Sequence, residues 1–219
     1  MDEFAGNDGY SFRIVVEDEY EFYEKDLFSL KTRNQLMEEG TIIGNTACGE
    51  IDIEMNEPDI VFPKMAKIIP EIKGEDGVWK KKGVYYIDTR KLVIGEPKNK
   101  LIIYGFDGML KTSIEIDFTG IEFPADAAAV VTRIANVSGV FIEDGTLTKL
   151  DKSLKIPKPE YMTGREILSA IGSMNGGNFC MNDEGKLRFI ALTDVLEQKA
   201  YILSENRSPI VIGGVRLLV

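Results

Sequence analysis

Three aspartates near the ends of predicted strands come closest to residues that could do chemistry. They are Asp88, Asp107 and Asp117. Two carboxyl groups that flank a glycosidic bond can act as acid and as base or nucleophile, so a hydrolytic pair is one interpretation. The chain holds 36 Asp and Glu residues, however, and abundance alone does not indicate pairing. We expect these aspartates to solvate turns or to form ion pairs with Arg90 and Lys111, and we predict no catalytic residue.

Other residue types that support catalysis or metal binding are scarce. Histidine is absent, which removes the commonest general base, the usual metal ligand and the near-neutral pH switch. Cys48 and Cys180 are far apart in sequence and form no Cys-x-x-Cys pair, so we expect both to be reduced, part-buried small side chains. The sequence therefore predicts a protein without enzymatic activity, cofactor or metal.

The charge balance limits the partners. The net charge is -10, and phosphate binding requires clustered cations, so stable binding to duplex nucleic acid is not expected. The N-terminal residues lack the basic and apolar regions of a signal peptide, and no apolar run is long enough to span a membrane. We expect no membrane partner.

One basic run stands out in this acidic chain. Trp79 is followed by Lys80, Lys81 and Lys82. The run is a possible contact for an acidic neighbour. The simpler interpretation is a solvated strand edge that discourages sheet-to-sheet aggregation.

Short strands separated by turn signals fill the first part of the chain. Residues 10–16 and 19–23 predict a first pair of strands, and residues 27–39 fit a strand or irregular structure better than a helix. Glu50 to Met55 alternates with period two, which predicts that Ile51, Ile53 and Met55 share a buried face. Further predicted strands cover 65–72, 78–82, 84–89, the segment from Leu101, and 114–118. Pro63 and Pro70 favour an edge position for residues 65–72. This spacing is typical of an antiparallel barrel or sandwich.

The pattern becomes helical after Pro124. An alanine-rich helix follows it and should end between Asn136 and Gly139, before a strand at 140–142. A second helix begins at Thr163, where Thr163 and Glu166 form a capping box, and Gly176 ends it. A hairpin follows, with its turn at 182–185. We predict a mixed α+β fold with three parts: strands over 1–120, an α+β domain over 121–198, and apolar strands over 199–219 that return to the first domain or enter a second one.

Several segments in this order resemble one protein family. They are 43–54 (Ile-Gly-Asn-Thr-Ala-Cys-Gly-Glu-Ile-Asp-Ile-Glu), 83–90 (Gly-Val-Tyr-Tyr-Ile-Asp-Thr-Arg), 103–111, the helix from Tyr161, and 176–188. As an ordered set they are similar to the baseplate hub, or tail-associated, proteins of phages and prophages of low-GC Gram-positive bacteria. The resemblance covers roughly residues 40 to 195.

The resemblance implies a fold and a role. A tail-tube-like β-barrel would carry the α+β domain as an insertion, and residues 199–219 would lead towards a second barrel. The family forms homotrimeric rings that join the tail tube to the baseplate or spike, contact distal tail proteins, and let DNA pass as transient cargo. By this likeness the protein is made in the bacterial cytoplasm and resides in a virion tail or a tail-like injection particle. Contractile and flexible tails share such hubs.

A second hypothesis is a saccharide-binding or other ligand-binding β-domain of a tail or cell-surface protein. Trp79, Tyr85 and Tyr86 would form its aromatic platform. Aromatic rings clustered on one exposed face favour this hypothesis, and burial of both tyrosines counts against it.

Overall fold

Alternating apolar residues in the first half of the chain form one large antiparallel sheet. The computed structural model describes residues 10–34, 42–95 and 98–193, and the backbone of residues 2–3, 211–212 and 215–216. The strands of the sheet are β1 (Asp2–Glu3), β2 (Ser11–Val16), β3 (Tyr20–Tyr23), β4 (Leu27–Arg33), β5 (Glu50–Asn56), β6 (Lys67–Lys73), β7 (Trp79–Lys81), β8 (Tyr85–Val93) and β9 (Lys100–Asp107). Their order is β1-β4-β5-β9-β8-β6-β2-β3, with β7 beside β6.

One apolar core lies against the concave face of this sheet. The predicted inward residues of β5, Ile51, Ile53 and Met55, are all completely buried. They share a core with residues from β2 and β4, although these strands lie far apart in the strand order. Side chains of distant strands meet in one core only if the sheet curls. The sheet is therefore strongly curved.

The curved sheet is not closed into a barrel. A short 3₁₀ turn, Glu24–Asp26, links β3, at one end of the strand order, to β4, next to the other end. Three residues span about 10 Å at most, so the two ends are held near each other. No strand pairing joins β3 to β4 among the described residues. The antiparallel strands were predicted correctly, whereas the closed barrel expected from the sequence is corrected to an open, curled sheet.

The position of β6 also differs from the prediction. Pro63 and Pro70 favoured an edge strand, but β6 pairs with β2 on one side and with β8 and β7 on the other. Pro70 lies in the interval between the β8 pairing, at residues 67–68, and the β7 pairing, at residues 71–73. Its carbonyl accepts a hydrogen bond from Lys82 N. Proline is tolerated there because no neighbouring strand needs its missing N–H.

Residues 108–193 form a second, mixed unit with its own core. Its elements are a 3₁₀ helix (Gly108–Thr112), β10 (Ala125–Asp126), α1 (Ala127–Ser138), a 3₁₀ helix (Leu147–Lys149), β11 (Lys155–Ile156), α2 (Gly164–Met174), β12 (Gly177–Met181) and β13 (Leu187–Ala191). β10 pairs with β11, and β12 with β13, both antiparallel. α2 packs on β12 and α1 packs on α2, and both helices share one core with Phe179 and Phe189, which are buried.

The helix boundaries follow the predicted capping signals. α1 ends at Gly139, whose φ of 64° suits the left-handed cap position. The hydroxyl of Thr163 accepts the Glu166 N–H, and the Glu166 carboxylate accepts the Thr163 N–H at 2.7 Å, so the predicted capping box begins α2. No helix among the described residues is long and apolar enough to cross a membrane.

Two predicted strands of this unit are wrong. Residues 114–118 form only an isolated bridge, between Glu115 and Thr163, and 140–142 form only a bridge between Ile142 and Leu187. Phe118 instead packs edge-on against Phe123 in the second core, with ring centroids 5.5 Å apart. Local alternation cannot distinguish this core packing from a strand, since both place every second side chain inside.

The predicted C-terminal strands fall mostly outside the described residues. Within 199–219 only the antiparallel pair β14 (Val211–Ile212) and β15 (Val215–Arg216) is described. The predicted return of this segment to the sheet, and the domain boundaries at 120 and 198, stay predictions.

Candidate assembly surface

The three candidate aspartates each have separate, local partners. Asp88 forms an ion pair with Lys64 at 3.6 Å, and Asp117 accepts hydrogen bonds from both the amide and the hydroxyl of Thr119. These Thr119 hydrogen bonds lower the pKa of Asp117. The expected pairs with Arg90 and Lys111 do not form among the described residues: Asp117 contacts Arg133, and Lys111 lies over the Tyr86 ring. Each carboxylate thus serves its own turn or strand end.

Asp107 is buried and holds the junction between β9 and the following 3₁₀ helix. Its carboxylate accepts hydrogen bonds from Gly49 N at 2.8 Å and from Met109 N at 2.9 Å, and the Cys48 thiol lies 3.3 Å from it. Burial raises the pKa of Asp107, while the two backbone hydrogen bonds act in the opposite direction. In the described part of the chain no group of His, Cys, Asp and Glu side chains is arranged to hold a metal ion. The Asp107 carboxylate therefore stabilises the backbone where β9 meets the 3₁₀ helix.

The segment that carries the first family motif docks on the second unit. We call residues 42–49 the strap. Gly44 N donates to Gly177 O at 2.9 Å, and Phe179 N donates to Asn45 O at 3.0 Å, so the strap runs alongside β12. The buried amide of Asn178 accepts from Asn45 N at 2.8 Å and donates to Ile42 O at 2.9 Å. These four bonds satisfy backbone groups that would otherwise be buried without partners.

Helix α2 holds the other side of the strap. Ser169 Oγ donates to Gly44 O, and Arg165 Nε donates to Thr46 O at 2.8 Å. Gly44 has a φ of +77°, and a Cβ there would stand 1.9 Å from Ser173 Oγ. Only glycine fits both the left-handed backbone and this close approach. The sequence identified the strap as a loop before a strand, but its docking on α2 and β12 was missed because no local signal encodes a partner over a hundred residues away.

Trp79 lies within a cluster of charged and aromatic side chains on the outer face of β2, β3 and β7. The Arg13 guanidinium lies 4.5 Å from its ring centroid and the Lys73 ammonium 4.7 Å from it, both within cation–π range. The Tyr23 ring packs edge-on at 6.4 Å. Trp79 is half-buried, so side chains of this chain already cover part of its ring.

Two of the three predicted contact lysines already have acidic partners. Lys80 pairs with Asp76 at 2.6 Å, and Lys81 pairs with Glu184 at 3.0 Å, which ties β7 to the turn of the β12–β13 hairpin. Lys82 forms no ion pair among the described residues and is half-buried. Most of the run thus binds acidic residues of the same chain, and its role as a contact for an acidic neighbour stays a prediction.

The aromatic platform proposed for a saccharide does not assemble on one exposed face. Tyr85 is completely buried, and its hydroxyl donates to Asn34 Oδ1 at 2.9 Å. Burial is the main cause that raises the pKa of Tyr85. The half-buried Tyr86 ring is covered by the Lys111 ammonium, 3.6 Å from its centroid. Trp79, Tyr85 and Tyr86 therefore offer no shared stacking surface.

Among the open strand edges of the described sheet, those of β3 and β8 lie beside clefts, and sequence reasoning did not single them out. Among the described strands β3 pairs with β2 alone, and its outer side lines an open cleft of about 750 Å³ together with Asn56–Ile60 and the β8–β9 turn. β8 loses β6 as a neighbour after Tyr86, so within the described part of the sheet residues 89–93 pair with β9 only. A smaller groove of about 240 Å³ runs beside this part of β8. The bulge between Ile87 and Thr89, which starts the free edge, has no clear sequence signal.

No protein-family model matches the sequence, and a comparison with curated proteins finds no relative. Solved structures do match. The 43 kDa tail protein of prophage MuSo2 from Shewanella oneidensis is similar with a TM-score of 0.62 and 12% identity over 89% of this chain. A tail protein from Neisseria meningitidis MC58 has a TM-score of 0.57 and 12% identity over 93%. This chain has the fold of these tail proteins.

A third structure extends the comparison. Prophage tail protein gp18 from Listeria monocytogenes EGD-e is similar with a TM-score of 0.50 and 9% identity over 89% of this chain. The chain spans 58%, 53% and 55% of the lengths of the three tail proteins, respectively. The predicted likeness to tail proteins is confirmed at the level of the fold, and the hub assignment stays a prediction.

Proposed function

We propose that this chain is a structural component of a phage tail or a tail-like injection particle. The observation that carries the proposal is the shared fold, which extends over about nine-tenths of the chain in each of the three tail proteins. The proposal assigns no catalytic residue, cofactor or metal. The most deeply buried candidate carboxylate, Asp107, is occupied by backbone hydrogen bonds, as a scaffold requires.

The finer role is that of a hub between the tail tube and the baseplate or spike. The family resemblance of residues 43–54, 83–90 and 103–111 supports this role, and the curled sheet supplies a surface with open edges for assembly. As a hub the protein would be a homotrimer that contacts distal tail or baseplate proteins. DNA would pass as cargo, and a net charge of -10 disfavours its retention.

The strap supports a mechanical role. It fastens the second unit to the sheet through bonds from both α2 and β12, so the two units can act as one body. The Trp79–Lys82 run, with the Trp79 ring on the outer face, would contact an acidic neighbour in the particle. Lys73 beside the Trp79 ring adds positive charge to this surface, whereas Arg13 is already paired with Glu21 and Glu71.

Deletion of the gene from its prophage tests the proposal. After induction, we expect particles that lack a complete tail end by electron microscopy, and complementation with the wild-type gene should restore them. Mass spectrometry of purified wild-type particles should detect the protein. Normal tails in the deletion strain, together with absence of the protein from wild-type particles, would overturn the tail assignment. Presence in the particle but away from the tube–baseplate junction would overturn only the hub role.

A further inference from the structure

The free edge of β8 is an apolar and basic surface on an acidic protein. All five residues 89–93 are exposed, on both faces of the strand, and they read Thr-Arg-Lys-Leu-Val. Leu92 lines the neighbouring groove with Ile60, Phe62 and Leu101, and Val61 on its rim is 89% exposed. Arg90 and Lys91 form no ion pair within the described part of the chain. An open strand edge beside an apolar groove is the arrangement that accepts an added strand.

The other open edge carries the opposite charge. Residues 17–24, which cover the turn before β3, β3 itself and the first residue of the following 3₁₀ turn, contain five acids and no lysine or arginine. Glu21 pairs with Arg13 and Asp18 with Lys67, which leaves Glu17, Glu19 and Glu24 without cationic partners among the described residues. Exposed Tyr20 and Tyr23 supply aromatic surface on the same strand.

Charge and length together distinguish β3 from the other open strands of the described sheet. β7 also pairs on one side only, but it carries Lys80 and Lys81. β4, which β1 covers only at Lys31 and Thr32, carries Lys31 and Arg33. Either strand would bring like charges beside Arg90 and Lys91, and like charges across an interface oppose association. β1, at the far end of the strand order, is acidic too, but it is only two residues long. β3 is the longer acidic open edge of the described sheet.

We infer that the free β8 edge of one copy of this chain pairs with the free β3 edge of a second copy. The contact joins two different surfaces, so each copy keeps one of each edge free for a further copy. Such head-to-tail contacts produce a ring if the rotation closes and a filament if it does not. This self-association does not depend on the tail assignment, because it is a property of the purified chain alone.

Charge reversal tests the contact by multi-angle light scattering and sedimentation velocity on the whole chain. The wild type should show masses above the 24.5 kDa of one copy, and added salt should lower them. Arg90→Glu/Lys91→Glu should weaken association by at least about tenfold, and so should Glu19→Lys/Glu21→Lys. Lys152→Glu/Lys158→Glu is the matched control: it makes the same charge change on exposed lysines of the second unit and should associate like the wild type.

A mixture of the two edge variants gives the decisive result. In an equimolar mixture the β8 edge of each variant can meet an oppositely charged β3 edge of the other, so mixed pairs should form that neither variant forms alone. Recovery in the mixture also proves that both variants fold, and Glu19→Lys alone, which spares the Glu21–Arg13 pair, guards against misfolding of the double variant. A monomeric wild type, an unaffected Arg90→Glu/Lys91→Glu variant, a control that loses association equally, or no recovery in a mixture of folded variants would each overturn the inference.

Discussion

The side-chain amide of Asn178 binds the strap at two points around Asn45. It accepts the Asn45 N–H at 2.8 Å and donates to the carbonyl of Ile42 at 2.9 Å, and it is almost completely buried. One side chain from β12 thereby satisfies two backbone groups of a segment 133 residues earlier. Asn178 is therefore one of the residues that hold the two units together.

Replacement of Asn178 should therefore destabilise the whole chain. Asn178→Ala leaves the buried Asn45 N–H and the part-buried Ile42 C=O without this partner, and we expect a loss of about 2 kcal/mol in the free energy of unfolding, measured by urea denaturation. Asn99→Ala is the control, because the Asn99 amide bonds to Glu57 at a more exposed site. It should cost less than about 1 kcal/mol. Equal effects of the two substitutions would contradict the role of Asn178.

Substitution of Gly44 separates backbone strain from steric conflict. Gly44→Ala must adopt a positive φ and place its Cβ against Ser173 Oγ, so we expect a loss of about 3 kcal/mol. Gly77→Ala is a matched control with a φ of +70° and no atom near the new Cβ, and it should lose only about 1 kcal/mol. Adding Ser173→Ala to Gly44→Ala should recover part of the difference. No recovery in this double variant, by thermal or urea unfolding, would show that the steric conflict lies elsewhere.

The capping box of α2 should make part of the stability depend on pH. Hydrogen bonds from the Thr163 amide and hydroxyl lower the pKa of Glu166 in the folded chain below its ordinary value of 4.5. A carboxyl group with a lowered folded pKa binds protons more readily when unfolded, so its contribution is present above pH 4.5 and is lost as the pH falls through the folded pKa.

Glu166→Gln removes that titration but keeps an oxygen acceptor. We expect its stability to fall less steeply than the wild type between about pH 5 and pH 3, as measured by urea unfolding at a series of pH values. Glu160→Gln, at an exposed position before the helix, is the control and should keep the wild-type slope. A Glu166→Gln slope equal to that of the wild type would show that the box does not stabilise the ionised carboxylate.

Both cysteines should be unreactive in the folded chain. They are free thiols, as predicted, and burial raises the pKa of both; the nearby Asp107 carboxylate raises that of Cys48 further. Because the thiolate is the reactive form, iodoacetamide at pH 8 should modify the native chain slowly and the urea-unfolded chain rapidly, with at least about a tenfold difference in rate by mass spectrometry. Fast native modification of Cys48 would contradict its packing against Asp107.

Much of the fold follows from local signals in the sequence. Period-two alternation identified the buried face of Ile51, Ile53 and Met55, and the Thr163–Glu166 box placed the start of α2. These predictions succeed because the determining residues are neighbours in the chain. The same local reasoning predicted wrongly that Pro70 marks an edge strand. The gap between the β7 and β8 pairings that accommodates Pro70 depends on the tertiary fold, which local signals do not encode.

The candidate surfaces were harder to predict for the same reason. The motif at 43–54 was recognised, but its first half contacts α2 and β12 rather than another protein. The Lys80–Lys82 run was visible as a charge pattern, while the partners Asp76 and Glu184 of Lys80 and Lys81 required the fold. The edges of β3 and β8 are open because of the order of the strands in the described sheet, and strand order cannot be read from a single sequence.

The long sequence separation between the strap and Asn178 delays docking of the strap while the chain is being synthesised. Residues 42–49 leave the ribosome well before Asn178, which is 133 residues after Asn45. At bacterial and eukaryotic elongation rates this delay is roughly 7 to 27 s. During that interval the strap is undocked, and the backbone groups that later bind Asn178 are exposed to water. Docking of the newly made hairpin is then the late event that completes the native state.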